Sequence, residues 1–209
     1  MNTPVILNRS AIDSLPKAER TNLVNSLTGF KSANLVGTAN IEGKTNLAIM
    51  SSAFHVGANP PLIGLLIRPH SVPRHTLENI LSNGHYTINS VTEKIYKQAH
   101  QSSARYPQDE SEFSATGLTA EYSEQCKAPY VAECPIQIGL SLVEHQTLAV
   151  NNTVLIVGEV IQIRMTSDLR HPDGHLDLSA GKIVSISGLD EYHLTNSLGR
   201  QAYAKVARV

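Results

Sequence analysis

The stretch that decides the fold runs from Thr38 to Asn79 and reads TANIEGKTNLAIMSSAFHVGANPPLIGLLIRPHSVPRHTLEN. An apolar run from Ala33 to Thr38 leads into it, and an Asn-x-x-Gly turn follows at residues 40–43. Two more runs with strand character come next, Thr45–Phe54 and Leu62–Ile67, and a Pro-Pro pair introduces the second. The stretch therefore predicts three short strands in succession.

A predicted helix start follows the third strand and carries both cations and hydroxyl groups. Ser71 is a good N-cap residue and Pro73 fits the first turn, which predicts a helix over about 72–83. The free N–H groups and the dipole of a helix N-terminus favour an anion. Arg68 and Arg74 would suit a phosphate, because guanidinium groups bind phosphate through paired, charge-assisted hydrogen bonds. A solvated helix start with ordinary capping is the alternative, and the local pattern leaves both open.

The order of residues along this stretch resembles the flavin-reductase-like, FMN-binding split-barrel family, which includes flavoredoxin-type proteins. The pattern Asn-x-Ala-x-x-Ser-Ser-x-Phe begins at Asn46, and the pattern Arg-x-x-Ser-x-x-Arg-x-Thr-x-x-Asn begins at Arg68. The segment between Gly188 and Tyr203 is similar to the C-terminal end of that family's domain. The resemblance extends over residues 27–204.

This resemblance implies an antiparallel split β-barrel that binds FMN. It requires no protein nucleophile, because the isoalloxazine carries the hydride chemistry while the protein binds and orients it, and it leaves any catalytic residue unknown. It also implies NADH or NADPH as the electron donor, stacked transiently on the flavin, although the chain has no Gly-x-Gly-x-x-Gly motif. The residues that it places around the flavin ring and ribityl chain are Asn46, Ala48, Ser51 and Ser52, with Thr38 nearby, and those around the phosphate and ribityl end are Arg68, Ser71, Arg74, Thr76 and Asn79.

The rest of the chain predicts a mainly β protein with flanking helices. Ser14 could cap a helix over about 14–27 with Leu23, Val24 and Leu27 on its buried side, and Thr92 could cap another over about 92–104. Long runs rich in Val and Ile, without regular helical crossovers, favour an antiparallel barrel of six or seven strands in a single domain, 1–209. The further strand-like runs are His85–Val91, Ile136–Glu144, Thr153–Ile163 and Ile183–Ser187.

A long polar region from Arg105 to Glu124 separates the two halves of the chain. Connections of this length are usually functional lids or excursions at subunit contacts, but they can also be unstructured surface. The sequence does not decide between these interpretations.

Composition excludes several classes of partner. A net charge of −1 gives no basic footprint, so we expect no nucleic acid. The chain has no apolar run of membrane-spanning length and no signal-peptide core, which predicts a cytoplasmic protein without membrane contact. His171 and His175 have the spacing of paired zinc ligands, but Pro172 and Gly174 would break the helix that this spacing needs, so we predict no metal.

The sequence therefore predicts an NAD(P)H-dependent flavin oxidoreductase that forms a homodimer with its cofactor near the subunit contact. The final acceptor would be a partner oxygenase or a small molecule. A flavin-binding electron carrier, a pyridoxamine-phosphate-oxidase-like oxidase and a barrel that has lost its cofactor remain as alternatives. The sequence leaves open NADH against NADPH, and FMN as bound cofactor against FMN as substrate. It also leaves open whether Tyr192, Arg200, Tyr203 or His175 reaches the flavin.

Overall fold

The computed structural model describes residues 4–107 and 109–206. The part of the chain so described is mainly β, as predicted, with short helices around the strands. The helices are α1 Arg9–Ser14, α2 Lys17–Ser26, α3 His75–Asn83, α4 Tyr96–Gln101 and α5 Glu112–Thr116, with a 3₁₀ turn at Ser167–Leu169. The strands are β1 Lys31–Ser32, β2 Asn34–Ala39, β3 Thr45–Met50, β4 Ala53–Ala58, β5 Pro61–Ile67, β6 His85–Ser90, β7 Ala120–Ser123, β8 Cys126–Val131, β9 Ile136–Thr147, β10 Val154–Met165, β11 Val184–Ser187 and β12 Glu191–Leu194.

The main sheet is an antiparallel barrel that closes only in part. Its strand order is β3-β2-β6-β9-β10-β5-β4, so β3 and β4 lie at opposite ends. These two strands are nevertheless consecutive in the chain and joined only by Ser51 and Ser52. The sheet must therefore curl until its two edges meet at this link. Ser52 Oγ donates to the carbonyl of Leu66 at 2.6 Å, which attaches the link to β5. The predicted split barrel is confirmed.

The barrel interior is filled by side chains from the middle of the sheet. Tyr86 on β6 and Leu140 on β9 are fully buried there with Ile156 on β10. A Cβ at Gly158 would overlap the Tyr86 hydroxyl, so glycine is needed where this ring meets β10. Burial of these large apolar side chains is the main contribution that the barrel interior makes to the stability of the fold.

A second core joins the barrel to its surroundings, and it includes the region whose structure the sequence left open. Phe113 on α5 and Leu118 are each 4% exposed and belong to a buried cluster with Leu47 of β3. The described part of Arg105–Glu124 is therefore packed against the barrel, with α5 and β7 inside it, and the interpretation as unstructured surface is wrong. Two apolar anchors in a polar segment were too few to show this in the sequence.

All three predicted helices differ from the observed ones at their starts. Within the predicted 14–27 range the helix is α2, which begins only at Lys17 with Pro16 as its N-cap residue, and α1 is a separate helix that the sequence did not predict. Ser14 ends α1 and caps neither. The predicted buried side of α2 is also wrong: no residue of α2 is buried, Val24 is 49% exposed, and Leu27 just beyond the helix is 71% exposed.

The predicted 72–83 helix begins only at His75, as α3. Val72 precedes a proline, which disfavours helical backbone, and the side chain of Glu78, not that of Ser71, accepts the Arg74 N–H. The end is as predicted, with Gly84 left-handed at φ 77. The predicted 92–104 helix shrinks to α4, because Thr92 forms a β-bridge with Ile183 and caps no helix.

The sequence also missed strands. It predicted six or seven, whereas the run Thr45–Phe54, predicted as one strand, is divided into β3 and β4, and four further short strands lie at β1, β7, β8 and β12. β8 contains Pro129 and pairs only with β7 among the described strands, and an edge strand tolerates a proline. Among the helices of residues 4–107 and 109–206, none combines the length and apolar character that a membrane crossing needs.

Candidate functional site

Four of the ten predicted site residues are buried and bonded to one another. Asn46 Nδ2 on β3 donates to Thr76 Oγ1 on α3 at 3.0 Å, and Asn79 Nδ2 on α3 donates to Thr38 Oγ1 on β2 at 3.1 Å. None of the four is more than 9% exposed. These paired polar groups fix the first turns of α3 against β2 and β3, since a buried donor or acceptor without a partner would be costly.

The predicted residues that remain accessible lie where the two edges of the sheet meet. Ser51 and Ser52 form the link between β3 and β4, and they are partly buried, as is Ala48 on β3. Arg68 is exposed immediately after β5, and Ser52 reaches the same strand end through Leu66. The barrel therefore brings residues of the β3–β4 link close to the end of β5.

Arg74 takes the N-cap position of α3, and it makes no capping bond with its side chain to the described residues. Its Nε donates to the carbonyl of Pro69 at 3.3 Å, so the guanidinium group is attached to the loop between β5 and α3. Exposed Ser71 lies in the same loop. Two guanidinium groups in the loop between β5 and α3, together with a helix N-terminus, are a chemically suitable environment for a phosphate.

A carboxylate that the sequence reasoning missed lies at the same helix start. Glu78 Oε1 accepts the Arg74 N–H at 3.1 Å and lies 2.7 Å from His70 Nε2. The hydrogen bond from His70 holds the pKa of Glu78 below its usual value, and the Arg74 amide adds to this effect. Glu78 thus stabilises the loop from Arg68 to Arg74, and it also brings a negative charge that would oppose an anion. Its position four residues after Arg74 was the signal available in the sequence.

The outer edge of β3 is covered by side chains from α4, α5 and their flanks. Glu112 Oε2 accepts the Leu47 N–H at 2.9 Å, and Ser102 Oγ accepts the Ile49 N–H at 3.0 Å. Thr45 Oγ1 and Ser111 Oγ lie 2.7 Å apart. Burial raises the pKa of Glu112 above its ordinary value, even though the Leu47 amide acts in the opposite direction. No local pattern in the sequence marked these contacts.

The residues left open at the C-terminal end make other contacts. Tyr192 lies 3.0 Å from His100 Nδ1 through its hydroxyl, and burial raises its pKa to about 12. Arg200 donates to Asp173 at 2.6 Å, and Tyr203 is 92% exposed.

His175 stacks on His171 with ring centroids 5.8 Å apart in the loop after β10. Among the described residues no group of three or more His, Cys, Asp or Glu side chains is arranged to hold a metal. Cys126 and Cys134 are buried free thiols whose pKa burial raises.

Two surface cavities lie outside the predicted site. One of about 330 Å³ is lined by residues such as Ile41, Asn83 and Lys127, at the far end of α3. The other, of about 230 Å³, lies around Gln137 and Arg164. None of the ten predicted flavin residues lines either cavity.

The antiparallel split barrel, with two arginines beside the start of α3, places the chain in a class of small β-barrel proteins. The Flavin reductase like domain model matches residues 27–187, and this chain belongs to that family. The matched region contains every predicted site residue.

The solved structures agree with this assignment. A split-barrel domain protein from Shewanella frigidimarina, assigned to the flavin reductases, is 49% identical over 96% of this chain and 100% of its own, with a TM-score of 0.93. Nitrilotriacetate monooxygenase component B from Bacillus cereus is 21% identical over 96% and 100%, with a TM-score of 0.84. Flavoredoxin of Desulfovibrio vulgaris is 23% identical over 84% and 92%, with a TM-score of 0.73. The last two identities establish the likeness of fold alone.

Proposed function

We propose that the chain binds FMN at the junction of its sheet edges and passes electrons from NADH or NADPH to the flavin. The observation that carries the proposal is the position of Arg68 and Arg74 on either side of the loop that leads into α3. In this arrangement the phosphate is held by the two guanidinium groups with Ser71, and the ring lies against β3 near Asn46 and Ala48. When bound, the isoalloxazine supplies the hydride chemistry.

The residues present fit such a cofactor. The buried pairs between α3 and the sheet fix the helix start, and the accessible groups beside it are cationic or hydroxylic, as a phosphate and ribityl chain require. Ser51 and Ser52 lie at the sheet link, where they supply main-chain and hydroxyl groups to the flavin. Glu78 is the one opposing charge that we identify; its lowered pKa keeps it ionised, and His70 and the Arg74 amide both contact its carboxylate.

We further propose that the active form is a homodimer. The outer face of β4 and β5 is apolar: Phe54 lies over Gly64 and is 43% exposed, and Leu66, the next residue of β5 on that face, is 37% exposed. A second copy that covers this face would close the open side of the site, because the face adjoins the β3–β4 link. The likeness to a monooxygenase component supports a partner oxygenase as one acceptor of the reduced flavin.

The visible spectrum of the purified protein, taken before and after anaerobic addition of NADH or NADPH, tests the activity. We expect a yellow protein that bleaches with one of the two nucleotides. The flavoredoxin likeness supports an electron carrier as the second candidate, and that protein would bind FMN yet stay yellow with both nucleotides. A protein that takes up no added FMN would contradict both.

A further inference from the structure

Edge strand β3 is completed by side chains instead of by another strand. Strands at a sheet edge leave every second N–H and C=O unpaired, and such groups need partners when they are covered. On β3 the outward N–H group of Leu47 donates to Glu112 Oε2, and that of Ile49 donates to Ser102 Oγ. The α4–α5 segment therefore fixes this edge at two successive outward amides.

Glu112 is a costly choice for such a contact. The residue is only 8% exposed, and the charged carboxylate is separated from water, whereas a neutral amide oxygen could accept the same N–H. His75, at the start of α3, and Glu110, in its own segment, are the ionisable groups whose charges act on the carboxylate. Glu112 therefore contacts β3, one of the two elements that carry the predicted flavin residues.

The amide that Glu112 holds is the one between two predicted ring-lining residues. Leu47 separates Asn46 from Ala48, and its own side chain is fully buried in the second core. The Asn46 side chain is fixed on the other side by Thr76. The backbone of residues 46–48 is thus held from the outer edge by Glu112 and from α3 by Thr76.

We propose that Glu112 is a positioning residue for the flavin ring, because its carboxylate fixes the backbone of residues 46–48 from the outer edge of β3. The inference rests on the proposed FMN site. The region between Arg105 and Glu124 then has an indirect role in the site. It supports strand β3 from its outer edge and does not contact the flavin itself.

Glu112→Ala and Glu112→Gln together test the inference, with the dissociation constants of FMN and riboflavin as readouts. Glu112→Ala removes the acceptor, and we expect both ligands to bind about tenfold more weakly, a factor within the range for a buried donor left unpaired. The affinities for FMN and riboflavin should fall by the same factor, because Glu112 acts on the position of the ring and both ligands carry that ring. Glu112→Gln keeps an acceptor oxygen and should restore both affinities and the band shape of the bound flavin.

Gln137→Ala is the matched control, because Gln137 is 5% exposed and donates to the Val131 carbonyl at 2.6 Å, away from β3. It should lower stability without weakening flavin binding. Unchanged riboflavin affinity in Glu112→Ala, or an equal loss in Gln137→Ala, would overturn the inference while the proposed function stands. If Glu112→Ala does not fold, Ser102→Ala removes the neighbouring acceptor and must produce the same loss for both ligands. Failure of the wild-type protein to bind either flavin would overturn the proposed function and this inference together.

Discussion

The two edge strands of the barrel, β3 and β4, differ in how far the rest of the chain covers them. On β3, Leu47 is fully buried and its outward amide is bonded to Glu112. On β4, Phe54 and Val56 are each 43% exposed, and the strand pairs with β5 alone. The chain thus completes one edge with its own α4–α5 segment and leaves an apolar surface at the other.

This difference has a physical meaning because the two strands are neighbours in sequence. They share the link at Ser51 and Ser52, so the buried edge and the exposed edge meet at the proposed flavin site. A large apolar surface on a folded domain usually marks a contact with another molecule. β3 thus provides a fixed wall for the proposed site, while β4 presents the apolar surface on which we propose that a second subunit docks.

The largest effect is expected from charges on the exposed edge. Phe54→Glu with Leu66→Glu should weaken self-association by about a hundredfold or more, since two central apolar contacts each contribute about 2 kcal/mol or more. Sedimentation equilibrium measures the association, and circular dichroism should show an unchanged fold. Ile41→Glu is the control, because Ile41 is 80% exposed at the turn between β2 and β3. A wild-type protein that is monomeric, or a variant that stays dimeric, would contradict the proposed interface.

The next effect concerns the point where the edges meet. The double variant Arg68→Ala with Arg74→Ala should weaken FMN binding by about a hundredfold and riboflavin binding by less than about threefold. The reason is that the charge-assisted hydrogen bonds, of about 1.5 to 3 kcal/mol, are made to the phosphate, which riboflavin lacks. Isothermal titration with both ligands measures the difference. Arg9→Ala, which removes a cation on α1, is the control and should change neither affinity. Equal losses for the two ligands would exclude the phosphate assignment.

The sequence predicted the fold well where strands are long and rich in β-branched residues. β5, β6, β9 and β10 all lie at or near the predicted runs, and the barrel followed from their number and from the family resemblance. It missed β8, a short strand that contains Pro129 and pairs only with β7 among the described strands. It also failed at α2, whose apolar side faces away from the described core.

The site was predictable only in part, for a similar reason. The residues of the β3–β4 link and of the α3 start form local patterns that the family resemblance could identify, and their role as flavin contacts stays a prediction. Glu112 lies 65 residues from Leu47, and the bond between them exists only because the fold brings α5 to the sheet edge. A single carboxylate in a polar segment carries no local sign of such a partner.

A smaller effect is expected on the stability of the closed edge. Glu112→Ala should lower the free energy of unfolding by about 2 kcal/mol, because the buried Leu47 N–H loses its acceptor. Glu112→Gln should be at least as stable as the wild type near neutral pH, because the amide oxygen accepts without the cost of a buried charge. Urea unfolding measures all three proteins.

The pH dependence of that pair has a definite sign. Because the pKa of Glu112 is raised above 4.5 in the folded state, the folded protein binds more protons than the unfolded one just above this pH. Stability from Glu112 therefore falls as pH rises through the folded pKa. The gain in free energy of unfolding of Glu112→Gln over the wild type should be largest at neutral pH and shrink towards about pH 5. His75 and Glu110 are present in both proteins, so their charges do not account for this difference. An advantage that grows on acidification would contradict the buried, charged state of Glu112.

The smallest effect on stability is expected at two tyrosines whose hydroxyl groups each lie against a glycine of the central strands β9 and β10. Tyr130 covers Gly139 and donates to Gln162 at 2.8 Å, whereas the buried Tyr86 hydroxyl over Gly158 has no partner among the described residues. Tyr130→Phe should therefore lower the free energy of unfolding by about 1 kcal/mol, the usual net contribution of one hydrogen bond. Tyr86→Phe should be neutral or slightly stabilising, because it removes an oxygen that is buried without compensation. Urea midpoints of the two variants decide the question, and a larger loss in Tyr86→Phe would show that the interior of the barrel holds a partner for this hydroxyl.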